Sequence, residues 1–224
     1  MTKKSSLAAQ CQEIGWSLTT INARRIDKKY WSTEFSSGLH PEEVVANTVL
    51  ADGDRCSWCE GGSINLMLKA AMLDVLAYRN PFNKRDDAVS RYLEAQLTIL
   101  TEYKSELIDC ATSISDTEFK SNISEICTNS SINAYYPRVQ QDFLYVLAET
   151  IPVSLRIRLL QTYMLKPYDY RAGWPDLTVI RNGELSFIEV KTTDRLHESQ
   201  LRFATEVAVP LGLECQVIQV LPSI

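Results

Sequence analysis

The fold is decided by one stretch of the 224-residue chain, GWPDLTVIRNGELSFIEVK at residues 173–191. Two β-prone runs lie within it, Leu177–Ile180 and Leu185–Lys191. Between them stands Asn182-Gly183, a pair that two-residue hairpin turns favour because such turns need positive φ. The stretch therefore predicts a β-hairpin.

Three charged side chains are brought together by this hairpin. Residues two apart on a strand share a face, so Glu189 and Lys191 project together while Val190 enters the core. Asp176 opens the partner strand, close to Glu189 near the end of the sheet. Two carboxylates and an ammonium suit a divalent cation and a water, because Mg²⁺ prefers oxygen ligands and relieves the carboxylate repulsion. The pattern predicts phosphodiester hydrolysis, in which Lys191 orients or deprotonates the water.

The specificity of this pattern comes from its spacing. Glu-x-Lys alone is common on ordinary exposed strands. Here it follows Gly173-Trp174-Pro175-Asp176 at hairpin spacing, and a helix containing Gln200 comes after it. Motif and predicted context together favour a nuclease.

The same residues resemble a known family. The segments Tyr170–Leu177, Phe187–Lys191 and Asp194–Leu196, with Gln200, look like the VRR-NUC domain, a branch of the PD-(D/E)xK nucleases. Within that branch they are most similar to the Fanconi-associated nuclease type. The resemblance implies an α/β (α+β) fold, with a restriction-endonuclease-like mixed β-sheet core flanked by helices.

The resemblance also implies roles for individual residues. It makes Asp176 and Glu189 ligands of Mg²⁺, for which Mn²⁺ can substitute, and turns the Val190 carbonyl toward the metal. It makes Lys191 catalytic. Gln200 matches the family's glutamine on the following helix, where it would help to position the site.

The family uses one more glutamate, from a helix earlier in the chain. Glu60 is preferred, because Glu60-Gly61 before an apolar helix looks like the corresponding segment of the Fanconi-associated type. Single-domain relatives carry this glutamate closer to the Pro-Asp pair, which favours Asp142 or Glu149. Asp74, on the apolar helix, is a candidate for supporting the ligands.

The first 165 residues are predicted to be mainly helical. Four helices are predicted there, over Ile64–Tyr78 with Ser63 as N-cap, Arg91–Leu107, Val139–Glu149 and Val153–Leu165. Residues 111–133 are serine-rich and predict either a loop or a frayed polar helix. A further helix is expected from about Asp194 to Val209, ended by Pro210 and Gly212, before a last strand over Glu214–Leu221.

The chain is predicted to divide in two. Residues 1–134 are predicted to be a helical N-terminal part that contributes Glu60 as the first metal-binding carboxylate. Residues 135–224 are predicted to form the VRR-NUC nuclease core. The two parts are expected to make one compact unit.

Composition excludes several classes of protein. The chain carries 23 Lys+Arg against 28 Asp+Glu, a net charge of −5, with 45% hydrophobic residues. It is therefore neither a disordered chain nor a protein that coats nucleic acid by bulk charge. No apolar run reaches the roughly 18 residues that span a bilayer. Met1–Gln10 lacks the apolar segment of a signal peptide, which predicts a cytoplasmic location.

The six cysteines are predicted to be reduced thiols, because the chain shows no export signal. The one close pair is Cys56 and Cys59. It lacks the further cysteine or histidine ligands that a zinc site needs. Structural or incidental cysteines are therefore the favoured interpretation.

Candidate DNA contacts come from basic and aromatic residues near the motif. Arg171 and Arg195 would hold phosphates, and Trp174 either stacks on a base or packs under its loop. A second basic cluster, Arg24-Arg25 with Lys28-Lys29, would form an N-terminal patch.

The sequence thus favours a Mg²⁺-dependent deoxyribonuclease selective for branched, flapped or junction DNA. Repair, recombination, and phage or mobile-element DNA processing are its expected settings. A homodimer would suit a four-way (Holliday) junction, which presents two related cleavage sites. The alternatives are a non-catalytic nucleic-acid-binding module on the same fold and a restriction-type endonuclease.

Overall fold

The predicted hairpin lies within a larger mixed β-sheet. The structure is a computed structural model, which describes residues 5–82, 84–193 and 195–223. The strands found in these residues are β1 (Ser17–Arg25), β2 (Trp31–Ser32), β3 (Ser37–Leu39), β4 (Arg55–Trp58), β5 (Leu177–Arg181), β6 (Glu184–Lys191) and β7 (Glu214–Pro222). They form one seven-stranded sheet in the order β3-β2-β1-β7-β6-β5-β4.

Pairing in the sheet is parallel at its centre and antiparallel toward its edges. β7 runs parallel to both β1 and β6. The other pairs, β1 with β2, β2 with β3, β4 with β5 and β5 with β6, are antiparallel. The hairpin therefore ends one strand away from the centre, and its second strand, β6, has a neighbour on each side.

The hairpin turn is formed as its residue types predict. Asn182 has φ 52° and Gly183 has φ 78°, so both central residues are left-handed. Arg181 pairs with Glu184 to close the turn, and the register then runs back to Leu177 opposite Ile188. This register brings the start of β5 level with the end of β6.

Helices precede, separate and follow the strands. In chain order they are α1 (Leu7–Ile14), α2 (Pro41–Val49), α3 (Gly62–Tyr78), α4 (Arg85–Ser90), α5 (Leu93–Ile99), α6 (Lys104–Ser113), α7 (Asp116–Thr128), α8 (Ser130–Tyr135), α9 (Gln141–Thr150), α10 (Val153–Leu165), α11 (Pro167–Tyr170), α12 (Glu198–Phe203) and α13 (Val209–Leu211). A 3₁₀ turn, Thr101–Tyr103, joins α5 to α6, and a π-helical segment, Ala204–Ala208, joins α12 to α13. In the described residues no helix is both long and apolar enough to cross a membrane.

Two compact units share these elements. One combines Met1–Glu60 with Gly173–Ile224 and contains the whole sheet; the other is helical and spans Gly61–Ala172. We call them the sheet unit and the helical unit. The boundary predicted at residue 134 does not coincide with this division.

The first 165 residues are mainly helical, as predicted, but residues 17–58 also supply four strands that were not predicted. In β1 only Ala23 is buried, so the strand shows no apolar alternation that a sequence could reveal. Its conformation comes instead from pairing with β7, which runs from Ser17 opposite Gln216 to Ala23 opposite Pro222. Tertiary pairing thus overrides a weak local signal.

Several helix boundaries also differ from expectation. The N-cap of α3 is Gly61, at φ 79°, rather than Ser63. The helix predicted over Arg91–Leu107 is broken at Leu100, whose φ and ψ of −94° and 29° leave the helical region. The serine-rich residues 111–133 are largely helical, because α7 has a proper Ser115 N-cap and a buried face that includes Ile123.

The helix after the hairpin begins later and ends later than predicted. It starts at Glu198 and continues through the π-helical segment to Leu211, so Pro210 lies inside its last turn. Gly212, at φ 69°, caps it as expected. Asp194, the predicted start, lies outside the described residues.

Candidate active site

Asp176 ties together the two strands of the hairpin. It precedes β5, and its Oδ2 accepts a hydrogen bond from the Val190 backbone N–H at 2.8 Å. The pKa of Asp176 is raised to about 6, mainly by burial and also by the charges of Glu42 and Glu60, against the Val190 hydrogen bond and Lys191. Asp176 thus lies in a buried site where its ionisation is opposed.

Glu189 is the most enclosed charge of the site, at 1% exposed. Its Oε1 accepts hydrogen bonds from Lys191 Nζ at 2.8 Å and from Gln200 Nε2 at 2.6 Å. Its Oε2 is buried and has no hydrogen-bond partner in the described residues. Burial, followed by the charge of Asp176, raises the pKa of Glu189 to about 7.

The alternation predicted for β6 is confirmed. Val190 belongs to the buried apolar cluster on one face of the sheet, together with Ile188. On the other face Lys191 and Glu189 meet as an ion pair, with Lys191 7% exposed.

Gln200 connects this pair to the start of α12. Its Oε1 accepts a hydrogen bond from the His197 backbone N–H at 2.9 Å, while its Nε2 donates to Glu189. A glutamate at this position could accept the first bond but could not donate the second. The amide therefore caps the helix and orients the carboxylate together, which fits the positioning role that the resemblance implies.

Gly173 fixes the approach of the Pro-Asp segment to α12. Its φ is +90°, and a Cβ there would lie 2.0 Å from the Ser199 carbonyl oxygen and 2.9 Å from the Gln200 N. Only glycine permits so close a backbone contact. The motif glycine thus holds the loop before Asp176 against the helix that carries Gln200.

A divalent cation fits the chemistry of these donors. Glu189 presents a buried carboxylate oxygen without a partner in the described residues. Its neighbour Asp176 is a second oxygen donor, and both burial and acidic neighbours oppose its ionisation. A cation would satisfy the first and neutralise the second. In the described residues, however, no group of three or more His, Cys, Asp or Glu side chains is arranged to hold a metal. The side chains are thus of the types that bind such an ion, although the described residues do not form a complete coordination sphere.

Of the three upstream carboxylates considered, Glu60 belongs to the sheet unit. It is exposed, has φ 43°, and its backbone N–H donates to the Asp176 carbonyl at 3.5 Å. The other two are in the helical unit, where Asp142 is exposed and Glu149 forms an ion pair with Lys120 at 2.6 Å. Asp74, also helical, pairs with Arg85.

Sequence reasoning missed Glu42. This residue follows Pro41 in the first turn of α2, and its charge contributes more than that of Glu60 to the raised pKa of Asp176. Without strands predicted before residue 60, nothing indicated that α2 would lie near the hairpin. The available signal was a helix start, with proline at the first position and glutamates after it.

The three predicted DNA contacts lie in different surroundings. Trp174 is 4% exposed, with its ring centroid 4.5 Å from Phe203, so the ring packs under its loop, the second of the two predicted roles. Arg171, in the helical unit, is half exposed and paired with Glu94 at 3.0 Å. Arg195 is exposed beside an open hollow of about 600 Å³ that is also lined by His197.

None of the six cysteines, all of which lie in the described residues, forms a disulfide. Burial raises the pKa of Cys56 to about 11, which makes its thiol unreactive near neutral pH. This agrees with structural cysteines.

Comparison with known proteins finds similarity in the fold. No protein-family profile and no curated protein sequence matches the chain. Among solved structures, it is similar to paFAN1 bound to DNA with a 2-nucleotide 5′ flap and a gap, with a TM-score of 0.62 and 16% identity over 93% of this chain. A second paFAN1 structure, with a 1-nucleotide 5′ flap and a gap, gives a TM-score of 0.53 at the same identity and coverage.

The chain spans 38% of the length of the paFAN1 chain in both structures. The likeness extends over nearly all of the present chain and includes the mixed α/β architecture. The resemblance to the Fanconi-associated nuclease type is therefore confirmed at the level of the fold.

Proposed function

We propose that this chain is a Mg²⁺-dependent deoxyribonuclease that hydrolyses phosphodiester bonds in branched or flapped DNA. The observation that carries the proposal is the environment of Glu189. This carboxylate is buried beside a second one, Asp176, with one oxygen held by Lys191 and the other without a hydrogen-bond partner in the described residues. Such an arrangement is costly for folding alone and is explained by a cation-binding function.

The ligands proposed for the cation are Asp176, Glu189, the Val190 carbonyl and Glu60. Glu42 is close enough to act on the charge of Asp176 and is proposed as a further acidic neighbour of the ion. When bound, Mg²⁺ would neutralise the negative charge that develops on the phosphate.

Lys191 is proposed to hold the attacking water or the phosphate. One of its N–H groups is fixed by Glu189 Oε1, and an ammonium has two more donors for the reacting oxygens. Gln200 keeps Glu189 turned toward Lys191 from the start of α12. The chain's own contribution is thus a fixed ammonium and two fixed carboxylates, which reduces the reorganisation needed in the transition state.

Flapped DNA is proposed as the substrate because paFAN1, whose fold the chain shares, was solved on 5′-flap DNA. The test is cleavage of end-labelled flap, gapped, four-way-junction and linear duplex DNA, with Mg²⁺, Mn²⁺ or EDTA. We expect flap cleavage with either metal and none in EDTA. The Glu189→Gln variant should lose it, while Glu184→Gln, which removes an exposed carboxylate from the same strand, should cut as the wild type does. Cleavage that survives in EDTA or in Glu189→Gln would contradict the proposal.

A non-catalytic DNA-binding module is the second candidate, and one observation favours it. The carboxylates of the described residues do not form a group of three arranged for a metal. Tight binding of flap DNA without cleavage in Mg²⁺ or Mn²⁺ would support this candidate. Cutting of linear duplex at one sequence would instead indicate a restriction-type enzyme. Homodimer formation and a cytoplasmic location remain predictions.

A further inference from the structure

A basic turn connects β1 to β2 at one end of the sheet. We define it as residues 24–30, and it contains Arg24, Arg25, Lys28 and Lys29 with a single acidic residue, Asp27. All seven of its residues are exposed. The turn is therefore a positively charged region in a chain whose net charge is −5.

The turn is held in shape by its own side chains. The Oδ1 of Asp27 accepts hydrogen bonds from the backbone N–H groups of Lys29 at 2.7 Å and Tyr30 at 2.9 Å. Arg25 donates through Nε to the Asp27 carbonyl at 2.9 Å, and its guanidinium lies 5.5 Å from the centre of the Trp31 ring. Asp27 and Arg25 therefore build the turn.

The other three cationic side chains of the turn do not help to hold its shape. Within the described part of the chain, Arg24, Lys28 and Lys29 form no salt bridge with Asp or Glu. The turn thus presents three exposed cationic side chains on a backbone held by hydrogen bonds. Such a set matches the phosphates of a nucleic-acid backbone.

The sheet register relates this turn to the candidate active site. Lys191 lies opposite Gln219 of β7, which lies opposite Thr20 of β1, and all three strands run in the same direction. The turn therefore begins with the last two residues of β1, at the end of the sheet where β6 also ends. Two strand spacings make about 10 Å, and the rise from Thr20 to the turn adds about 16 Å along β1. Together they place the turn about 20 Å from Lys191, the length of roughly six base pairs.

We propose that the basic turn binds the phosphate backbone of a duplex arm of the DNA, about six base pairs from the bond that is cut. This inference rests on the proposed nuclease function of the site at Asp176 and Glu189. Duplex is favoured over single strand because single strands are bound through successive exposed stacking rings. The turn has one ring, Tyr30, and one face of it packs against His40, with centroids 5.2 Å apart.

The test is DNA binding at several salt concentrations, measured by fluorescence anisotropy in the Glu189→Gln background so that no DNA is cut. The variant Lys28→Gln/Lys29→Gln removes two charges from the turn and leaves Asp27 and Arg25 in place. Its control, Arg55→Gln/Lys84→Gln, removes two exposed charges elsewhere. Equal thermal melting of the two variants verifies that both are folded.

We expect the turn variant to bind duplex about tenfold more weakly near 0.1 M salt, with the salt-dependence slope reduced by about 2. The control should shift neither. Affinity and slope that match the control would overturn the inference, as would a loss confined to single-stranded DNA. Phe35→Ala, which removes a ring 95% exposed on the next turn, should leave duplex binding unchanged.

The two proposals fail separately in these experiments. If the wild type cuts flap DNA and the turn variant still binds like the control, the inference on the turn fails alone. If the wild type cuts no DNA but the turn variant loses duplex binding, the nuclease function fails and the binding surface stands.

Discussion

Each unit of this chain buries a lysine, and the two lysines lie in opposite surroundings. In the helical unit, Lys69 is 1% exposed and donates to the backbone carbonyls of Val89 and of Arg91, the latter at 2.5 Å. In the sheet unit, Lys191 pairs with Glu189, whose second oxygen has no hydrogen-bond partner in the described residues and whose neighbour is another carboxylate. One buried charge is satisfied by its surroundings, and the other belongs to a surplus of negative charge.

The pKa values of the buried charged groups also differ between the two units. Burial lowers the pKa of Lys69 to about 7, against the charges of Glu94 and Asp87, and its hydrogen bonds go to backbone carbonyls. The nearby buried Glu94 is paired with Arg171. In the sheet unit burial raises the pKa of both Asp176 and Glu189, and the charge of Asp176 further opposes the ionisation of Glu189. In the helical unit Lys69 and Glu94 thus have partners, whereas for the sheet unit we propose a bound cation.

The largest expected effect is a loss of cleavage when Lys191 is replaced, whereas replacing Lys69 should affect stability. Lys191→Met should reduce the single-turnover cleavage rate of flap DNA by at least about 10²-fold, because it removes the ammonium proposed to hold the reacting groups. Lys69→Met should instead cost about 1–3 kcal/mol of unfolding free energy, because the carbonyls of Val89 and Arg91 lose their donor. Its cleavage rate should stay near that of the wild type.

Rapid-quench kinetics and urea unfolding of both variants measure these outcomes. Equal loss of cleavage in the two folded variants would break the comparison, since Lys69 would then have a catalytic effect. Full cleavage by Lys191→Met would remove the role assigned to Lys191.

A smaller effect is expected at Gln200. Gln200→Glu keeps the oxygen that caps α12 but replaces the donor to Glu189 by a third negative charge. Cleavage should fall about tenfold to a hundredfold through the misplaced carboxylate, with a higher Mg²⁺ concentration needed for half-maximal rate. Gln200→Met, which loses both bonds without adding charge, is the matched variant. Wild-type cleavage by either variant would contradict the need for a donor to Glu189.

The smallest expected effect is on the way the unfolding free energy of the metal-free protein changes with pH. The folded pKa values of Asp176 and Glu189 lie above the ordinary values near 4. The protonated carboxyls therefore stabilise the fold at low pH, and this contribution is lost as the pH rises through about 6 and 7. In EDTA, the wild type should lose on the order of 2 kcal/mol more than Glu189→Gln between pH 5 and pH 8. Urea unfolding at both pH values tests this, and parallel losses in the two proteins would contradict it.

The sequence was sufficient for the hairpin and for one face of β6. Asn182 and Gly183 mark the turn locally, and the two-residue period of a strand places Glu189 beside Lys191. The bounds of α10, Val153–Leu165, are also those predicted, because its start follows Pro152 and its pattern is regular. These features depend on short-range rules.

Features that depend on long-range pairing could not be predicted. β1 buries only Ala23 and becomes a strand by pairing with β7 almost two hundred residues later in the chain. The acidic neighbour Glu42 follows from that arrangement and shows no motif of its own. Trp174 could stack or pack on sequence grounds alone, and only the rings of Phe187 and Phe203 around it decide for packing.

The central claim is that the surplus negative charge at Glu189 binds a divalent cation, and titration calorimetry with Mn²⁺ tests it most directly. At pH 8 the wild type should bind Mn²⁺, Glu189→Gln should not, and Glu94→Gln should bind as the wild type does, because Glu94 already has Arg171 as its partner. At pH 6 wild-type binding should weaken several-fold, because Mn²⁺ must displace protons from Asp176 and Glu189. Mn²⁺ binding of equal affinity in the wild type and Glu189→Gln, or none in the wild type, would contradict the account.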